Sequence, residues 1–167
     1  GAVLSGLYSL SGNPDIAIVE EYIAPSPAFM GLTVHGTPDV RILLYRGRPV
    51  MAMLRLPTAA SRGRANLHQG AVGAGIDLES GHTTHGVCRG RAVDHHPDTG
   101  AAVGGHAIPH WREVVSTAVR LARAIPLRYI GVDLVLGPGH RPVVLEVNAR
   151  PGLAIQIANR AGLRPLL

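Results

Sequence analysis

The chain has 167 residues, of which 46% are hydrophobic, so it can bury the core of one domain or of part of a larger one. Its formal charge of +5 comes from 16 arginines against 11 acidic residues, because the sequence contains no lysine. This chain therefore cannot itself supply a Schiff-base lysine or a P-loop lysine, and its single cysteine, Cys88, excludes an internal disulfide.

The arginines are spread from position 41 to position 164, beside only four tyrosines, one tryptophan and one phenylalanine. The sequence therefore gives only a weak signal for the basic patch with stacking aromatic residues that is typical of nucleic-acid-binding proteins. We expect anionic small molecules as partners rather than nucleic acid. We find no signal-type segment and no apolar run long enough to span a membrane, and we expect a cytoplasmic protein, truncated at its N-terminus, without a membrane partner. Assembly into a homo-oligomer stays open.

The first half of the chain is dominated by strand-like runs. A Gly- and Ser-rich segment leads into an apolar run over residues 16–23, which we predict to be a strand. Two further strands, over 39–45 and 49–56, are joined by a short turn that contains Gly47. The polar, small-residue segment 58–70 follows as a surface loop, and shorter runs broken by glycines predict further strands up to residue 95.

The second half contains the clearest helix. Apolar residues recur at spacings of three and four over residues 110–126, which predicts an amphipathic helix. Strands over 128–136 and 141–148 surround the turn GPGH, and a short helix is predicted over 153–160. This order of strands, helix and strands predicts an α+β domain with a largely antiparallel sheet.

Acidic side chains interrupt the last two predicted strands. If these strands pair across a turn centred between Gly139 and His140, three facing pairs follow: Leu136 with Val143, Asp133 with Glu146, and Gly131 with Asn148. Asp133, Glu146 and Asn148 then share one face, where two opposed carboxylates need compensation. Oxygen ligands of this kind favour Mg²⁺ or Mn²⁺ over Zn²⁺, and they leave room for phosphate oxygens. The alternative is a solvated ion pair of Glu146 with Arg150 or Arg141.

The histidines do not predict a zinc site. The chain has nine of them, but the spacings match no standard zinc pattern, and the run HHPDTG, residues 95–100, has the composition of an exposed turn. We therefore expect solvated or structural histidines, and an inert, partly buried thiol at Cys88.

Four stretches together resemble the ATP-grasp ligases, in particular their alpha-L-glutamate ligase-like branch, which is similar to the ribosomal-protein glutamate ligases. They are IVEEYI, DVRILLYRGRPVMAMLRL, RANLHQGA, and the hairpin GVDLVL with PVVLEVNARPG, and they cover about residues 16–160. The resemblance implies an ATP-grasp fold in which residues 1–15 are the tail of a preceding Gly-rich segment. Residues 16–167 would be the C-terminal part of the domain, with its nucleotide hinge, substrate loop and Mg²⁺-binding hairpin.

The resemblance also implies roles for individual residues. Nucleotide contacts fall on the hinge run and on one arginine: Glu20, Glu21, Tyr22, Ile23 and Arg41. Arg55, Arg64 and Arg150 correspond to positions that face the phosphates, the acylphosphate or the substrate carboxylate, and Asn66 and His68 lie in a loop that closes over the substrates. Asp133, Glu146 and Asn148 correspond to the Mg²⁺ ligands.

The resemblance implies an ATP-dependent carboxylate–amine ligase that forms an amide or peptide bond through an acylphosphate. Its substrates would be amino acids or peptides, and glutamate is suggested by the family alone. Similar active enzymes use lysines that this chain lacks, so the fragment alone is expected to be inactive and the lysines to lie upstream. A catalytically inactive ATP- and Mg²⁺-binding homologue and an interaction module are the alternatives. Relatives also differ at positions 69 and 150, so acceptor specificity does not transfer.

Overall fold

A seven-stranded sheet, antiparallel throughout, forms the centre of the computed structural model, which describes residues 16, 19 and 21–166. The strands lie in the order β5-β4-β3-β2-β1-β6-β7. Their bounds are β1 Asp39–Tyr45, β2 Arg48–Leu56, β3 Val72–Ile76, β4 Thr83–Cys88, β5 Arg91–Val93, β6 Tyr129–Leu136 and β7 Pro142–Asn148. The largely antiparallel α+β architecture predicted from the sequence is confirmed.

Two α-helices cover parts of the two sheet faces. Helix α1, Trp111–Ala124, confirms the amphipathic pattern and packs its buried side against the sheet through Trp111, Val114, Ala118 and Ala122. Helix α2, Ala154–Ala158, packs on the opposite face through Ile155 and Ala158. Short 3₁₀ turns lie at Pro27–Phe29, Leu67–Gln69, Pro138–His140 and Arg164–Leu166.

Alternation along the central strands separates an apolar core from the face that carries the polar residues. On β1, Val40, Ile42 and Leu44 point into the core beneath α1 and are completely buried. Asp39 and Arg41 occupy the alternate positions on the other face, because successive side chains of a strand point to opposite sides. The face with α2 therefore holds both an apolar patch and the charged residues.

Two register shifts decide which residues meet across this sheet. The β1–β2 hairpin turns at Arg46 and Gly47, which both have positive φ, and its register shifts between Leu43 and Leu44. In the β6–β7 hairpin the register shifts between Asp133 and Leu134, so that one strand carries an additional residue. The predicted pairs Asp133 with Glu146 and Gly131 with Asn148 are confirmed, whereas Leu136 faces Pro142 rather than Val143.

The predicted strand over residues 16–23 is not found in the part of it that is described. Residues 16, 19 and 21–23 have no strand assignment, and residues 17, 18 and 20 lie outside the described residues. Ser26, which follows this segment, donates its backbone N–H to the carbonyl of Leu136 at 3.0 Å, so the chain returns to the sheet edge near the β6–β7 turn. Within the described residues, no helix is both long enough and apolar enough to cross a membrane.

Candidate functional site

Two arginines and two aspartates form a hydrogen-bonded network on the sheet face that carries α2. The strand registers place Asp39 opposite Arg55 and Arg41 opposite Asp133. Arg41 donates from Nε to Asp133 Oδ1 at 2.6 Å and from Nη2 to Oδ2 at 2.5 Å. Arg55 makes the matching pair to Asp39 at 2.5 and 2.6 Å. We call these two bidentate pairs the arginine network. Because each pair consists of two hydrogen bonds, it fixes the orientation of its guanidinium plane.

Arg55 links the two pairs because its Nη2 also donates to Asp133 Oδ2 at 2.8 Å. Asp133 is therefore contacted by two guanidinium groups, although only 1% of its side chain is exposed. Burial acts to raise the pKa of Asp133, but the hydrogen bond and charge of Arg41 and the charge of Arg55 outweigh it, so its pKa lies below the ordinary value. Asp133 is an ionised carboxylate at neutral pH.

Asp39 was missed by the sequence analysis, although it stands two residues before Arg41. Burial raises its pKa to about 6, against the lowering effect of the hydrogen bonds and charge of Arg55. Burial also acts to lower the pKa of Arg55, but Asp39 and Asp133 raise it overall, so Arg55 stays charged. An acid on an otherwise apolar strand, with a basic residue two positions further on, was the signal available in the sequence.

Glu146 and Asn148 lie on β7 beside Asp133, as their spacing predicted. The Nδ2 atom of Asn148 donates to Glu146 Oε1 at 3.0 Å and lies 3.4 Å from Asp133 Oδ2. Glu146 is 59% exposed, and its Oε1 lies 3.7 Å from Arg41 Nη2. The structure therefore brings Asp133, Glu146 and Asn148 together, with Glu146 open to solvent.

These three residues fit a hard divalent cation by the chemistry of their donors. Asp133 and Glu146 supply carboxylate oxygens, and a half-turn of the Asn148 amide exchanges its nitrogen for its oxygen. No three His, Cys, Asp or Glu side chains form a metal-binding group among the described residues, so the amide oxygen would be the third protein ligand. Arg41 and Arg55 already pair with Asp133, so the charge of this carboxylate does not by itself require a metal.

A cavity of about 750 Å³, the large cavity, opens over Asp39, Arg55, Asp133 and Glu146. Its remaining lining residues are mostly apolar and come from the segment before Ser26 and from the β6–β7 hairpin: Glu21, Tyr22, Ile23, Ala24, Pro138, Val143, Val144 and Leu145. Glu21, Tyr22 and Ile23, for which the resemblance implied nucleotide contacts, line this cavity, whereas Glu20 lies outside the described residues. One end of this cavity is acidic and the other is apolar.

The other predicted site residues lie on the far side of the arginine network. A narrow cavity of about 40 Å³ joins Arg41 and Arg55 to Asn66 and His68, together with Met53, Leu67, Gly152 and Ala154. Asn66 caps the turn Leu67–Gln69, because its Oδ1 accepts the backbone N–H of His68 at 3.0 Å. The side chain of His68 is exposed. The loop therefore reaches the network from the side opposite β7.

Arg64 and Arg150 are not part of the network. Both are exposed, and the contact found for Arg64 is a long hydrogen bond of 3.5 Å to Gln69 Oε1. Within residues 21–166, neither makes an ion pair, and neither lines the large or the narrow cavity. The solvated pair of Glu146 with Arg150 or Arg141 is likewise not formed in this part of the chain, where Glu146 approaches Arg41 instead.

His96 differs from the expected exposed turn. Its side chain is buried, with Nε2 2.9 Å from the carbonyl oxygen of Pro57, and its Nδ1 accepts the backbone N–H of Asp98 at 3.3 Å. The 95–100 segment therefore fastens the beginning of the 58–70 loop, and this histidine is structural. Cys88 is partly buried, and its Sγ lies 3.4 Å from the carbonyl oxygen of Gly70.

Comparison with known proteins identifies the class to which this fold and site belong. The whole chain, residues 1–167, matches the family model described as sugar-transfer associated ATP-grasp. The chain therefore belongs to the sugar-transfer associated ATP-grasp family, and its resemblance to alpha-L-glutamate ligase-like proteins is confirmed by the relatives below.

Three of these relatives carry the name "Probable alpha-L-glutamate ligase", and each is 32% identical to this chain. The proteins of Trichodesmium erythraeum and Alcanivorax borkumensis align over 159 and 151 residues, which are 86% and 84% of this chain and 42% and 39% of theirs. That of Chromohalobacter salexigens aligns over 115 residues, 69% of this chain and 27% of its own. The chain thus spans less than half the length of these relatives.

Solved structures of ATP-grasp ligase PsnB also match at low identity. Its complex with precursor peptide PsnA2 and AMPPNP is 18% identical, with a TM-score of 0.45, over 80% of this chain and 31% of that one. The complex with minimal precursor, Mg and ADP is 19% identical, with a TM-score of 0.42, over 80% and 32%.

Proposed function

We propose that this chain forms the metal- and nucleotide-binding part of an ATP-dependent carboxylate–amine ligase. One observation carries the proposal: the large cavity joins an apolar end, formed by Ile23, Val143 and Leu145, to an acidic end at Asp133 and Glu146. The apolar end suits a nucleobase. The acidic end would repel a polyphosphate unless a divalent cation stood between them, so the lining favours a metal–nucleotide complex over a free anion.

Asp133, Glu146 and Asn148 would hold the cation, Mg²⁺ or Mn²⁺. When bound, the cation would neutralise part of the negative charge of the phosphates, so that the nucleotide could approach the two carboxylates. Asp133 is suited to this because its arginine neighbours keep it ionised, and Glu146 because its carboxylate is exposed towards the cavity.

Arg41 and Arg55 would stabilise the charge that develops during phosphoryl transfer. A carboxylate oxygen of the acid substrate attacks the γ-phosphorus of ATP, the bond from that phosphorus to the bridging oxygen breaks, and ADP leaves with the electron pair. The amine then attacks the carbonyl carbon of the acylphosphate, the bond from that carbon to the phosphate oxygen breaks, and the nitrogen loses a proton. Forked guanidinium donors already fixed by Asp39 and Asp133 would require little reorganisation.

Loop residues would complete the site from the other side. Asn66 and His68 line the narrow cavity next to Arg41 and Arg55, where they can contact a substrate held against the network. Arg64 lies in the same loop and Arg150 follows β7, and we assign both to the acylphosphate or the substrate carboxylate after loop closure, which would also exclude water from the acylphosphate. Glutamate as one of the two substrates is suggested by the names of the relatives.

An ATP- and Mg²⁺-binding protein without turnover is the second candidate, and the absence of lysine from these residues favours it. ADP release that depends on an amino-acid or peptide acceptor, measured on the complete natural protein, separates the ligase from this candidate. A non-enzymatic interaction module would show no Mg²⁺-dependent nucleotide binding.

Glu146→Gln tests the metal assignment. Because Glu146 is exposed, its replacement should leave stability unchanged while removing a charged metal ligand. We expect the Mg²⁺-dependent part of ATP affinity to be lost, and turnover to fall by at least about a hundredfold. Glu113→Gln, an exposed acid on α1, is the matched control. Equal Mg²⁺-ATP affinity in the two variants would show that the assignment is wrong.

A further inference from the structure

A third cavity continues from the narrow one, beyond the arginine network. It measures about 350 Å³ and is lined by Leu67, His68, Val87, Arg89, Gly90, Ala154 and Ile157. Leu67, His68 and Ala154 also line the narrow cavity, whereas Arg55 lines both the narrow and the large cavity. The narrow cavity therefore adjoins both of the others through shared lining residues, with the arginine network between the large cavity and this third one, which we call the loop cavity.

The loop cavity combines apolar walls with a single permanently charged group. Val87 is 4% exposed and forms the sheet side, whereas Ile157 of α2 is 54% exposed and borders the opening. Leu67 packs over β3 at Gly73, where a Cβ atom would lie 2.8 Å from its Cδ2. An aliphatic side chain that entered here would remove apolar surface of all three residues from water, which favours its binding.

Arg89 is the charged group, and the β4–β5 turn holds it in place. Arg89 and Gly90 both have positive φ in a two-residue turn between the paired residues Cys88 and Arg91. The guanidinium lies next to Gly70, since a Cβ atom there would be 3.1 Å from Arg89 Nε. Within the part of the chain that is described, Arg89 pairs with no carboxylate. Its donors are therefore free for an anion from outside the chain.

Neither the narrow nor the loop cavity has a carboxylate among the lining residues that the structure describes. A substrate ammonium group would therefore contact no described carboxylate directly in either cavity. The guanidinium groups of Arg41, Arg55 and Arg89 favour its deprotonation, and Asp39 and Asp133 offset part of the charge of the first two. Deprotonation is what an acceptor amine requires, because the neutral nitrogen supplies the lone pair that attacks the acyl carbon. The same surroundings attract the carboxylate of an amino acid.

We propose that the loop cavity binds an aliphatic α-amino acid as the acceptor, with its carboxylate on Arg89 and its side chain against Leu67, Val87 and Ile157. Its amine then points through the narrow cavity towards the arginine network. The acceptor assignment rests on the proposed function, since it needs an acylphosphate at the network. The nitrogen forms a bond to the acyl carbon, phosphate leaves with the electron pair of the broken carbon–oxygen bond, and the nitrogen proton passes to phosphate or water.

The test is binding of L-leucine, L-leucinamide and L-glutamate to the complete natural protein, each with and without AMPPNP and Mg²⁺. Methyl NMR of labelled leucine, valine and isoleucine residues reports the site, and calorimetry gives the affinity. We expect L-leucine to shift the methyl signals of Leu67, Val87 and Ile157. L-Leucinamide, which lacks the carboxylate, should bind at least about tenfold more weakly.

Arg89→Gln and Arg91→Gln form a matched pair on the same hairpin, because Arg91 is exposed and lines neither cavity. We expect Arg89→Gln to weaken L-leucine about tenfold and Arg91→Gln to leave it unchanged. Equal effects of the two variants, L-glutamate binding at least as tightly as L-leucine, or no L-leucine binding to protein that binds AMPPNP would each overturn the proposal. Loss of Mg²⁺-dependent AMPPNP binding in the unmodified protein would instead contradict the proposed function.

Discussion

The large cavity and the loop cavity share one sheet face, but they differ in charge. Among residues 21–166, four carboxylates line the large cavity, those of Glu21, Asp39, Asp133 and Glu146, whereas none lines the loop cavity. The arginine network stands between them and directs both of its arginines into ion pairs with acids of the large-cavity side. The face is therefore divided into a region that suits cations and a region that suits anions.

This division shows how a chain without lysine can prepare two opposite electrostatic environments a few residues apart. On the large-cavity side the side chains of Arg41 and Arg55 are 13% and 11% exposed, and each is held by two hydrogen bonds to one aspartate, so its position is fixed before any ligand binds. On the loop-cavity side Arg89 is exposed and pairs with no acid among the described residues, so its charge is available. Ion-paired arginines are thus held in one orientation here, whereas the exposed guanidinium of Arg89 stays open to solvent.

Arg55→Met should have the largest effect on stability. The change leaves Asp39 buried without its bidentate partner, so we expect the free energy of unfolding to fall by about 3 kcal/mol. Arg89→Met, on the other side, should change it by no more than about 0.5 kcal/mol because Arg89 is exposed. Urea unfolding of both variants measures the contrast.

A double variant shows whether the loss at Arg55 comes from the unpaired acid. In Arg55→Met with Asp39→Asn the remaining side chain is neutral, so we expect the double variant to be more stable than the single one by at least about 1 kcal/mol. A double variant less stable than Arg55→Met would show that Asp39 stabilises the fold independently of Arg55.

The pH dependence of stability should show the next largest effect. Burial raises the pKa of Asp39 to about 6, so the folded protein binds this proton more tightly than the unfolded chain does. Its contribution is therefore fully present below the ordinary pKa of 3.8 and is lost as the pH rises through about 6. Between pH 4 and 7, we expect wild type to lose stability relative to Asp39→Asn, on the order of 2 kcal/mol.

Asp133 acts in the opposite sense and in another pH window, which allows the two acids to be told apart. Its pKa lies below the ordinary value, so its stabilising contribution is present above pH 3.8 and is lost only as the pH falls further. Urea titrations of wild type and Asp39→Asn from pH 4 to 7 test the Asp39 effect. Parallel stability curves over that range would contradict the raised pKa.

The hairpin that carries Asp133, Glu146 and Asn148 could be predicted because its two strands are adjacent in sequence and joined by a recognisable turn. Side-chain alternation then indicated that these three residues share one face of the sheet. The prediction failed only between the bulge and the turn, where one additional residue on β7 moves Pro142 opposite Leu136. Strand alternation does not reveal such an insertion, so the error was confined to the far end of the hairpin.

The arginine network could not be predicted from the same kind of argument. A regular β1–β2 hairpin that turns at Arg46 and Gly47 would not place Arg55 opposite Asp39; the shift between Leu43 and Leu44 does. Arg41 and Asp133 are 92 positions apart in the chain, and no local sequence pattern indicates that their strands pair. The loop cavity likewise combines a loop, a hairpin and a helix that meet only in the folded chain.

Gly73→Ala tests the packing of Leu67 on the loop-cavity side. The new Cβ atom would meet Leu67 Cδ2 at 2.8 Å, and because this is the end of a flexible side chain, the loop can shift rather than unfold. We expect a stability loss of about 1 kcal/mol and a perturbed methyl signal of Leu67, with nucleotide binding in the large cavity unchanged. Gly152→Ala, where a Cβ atom would meet no heavy atom within 4 Å, is the control.

Leu145→Asn should have the smallest effect and tests the apolar end of the large cavity. Leu145 lies at the β7 register shift, lines the cavity and is 51% exposed, so its replacement leaves stability within about 0.5 kcal/mol. A nucleobase that rests on it would lose part of its apolar contact, which weakens nucleotide binding about threefold. Leu127→Asn is the control because Leu127 is 44% exposed and lies outside the large cavity. If calorimetry gives both variants the same AMPPNP affinity, the base does not rest on Leu145, and Ile23 and Val143 remain as its apolar support.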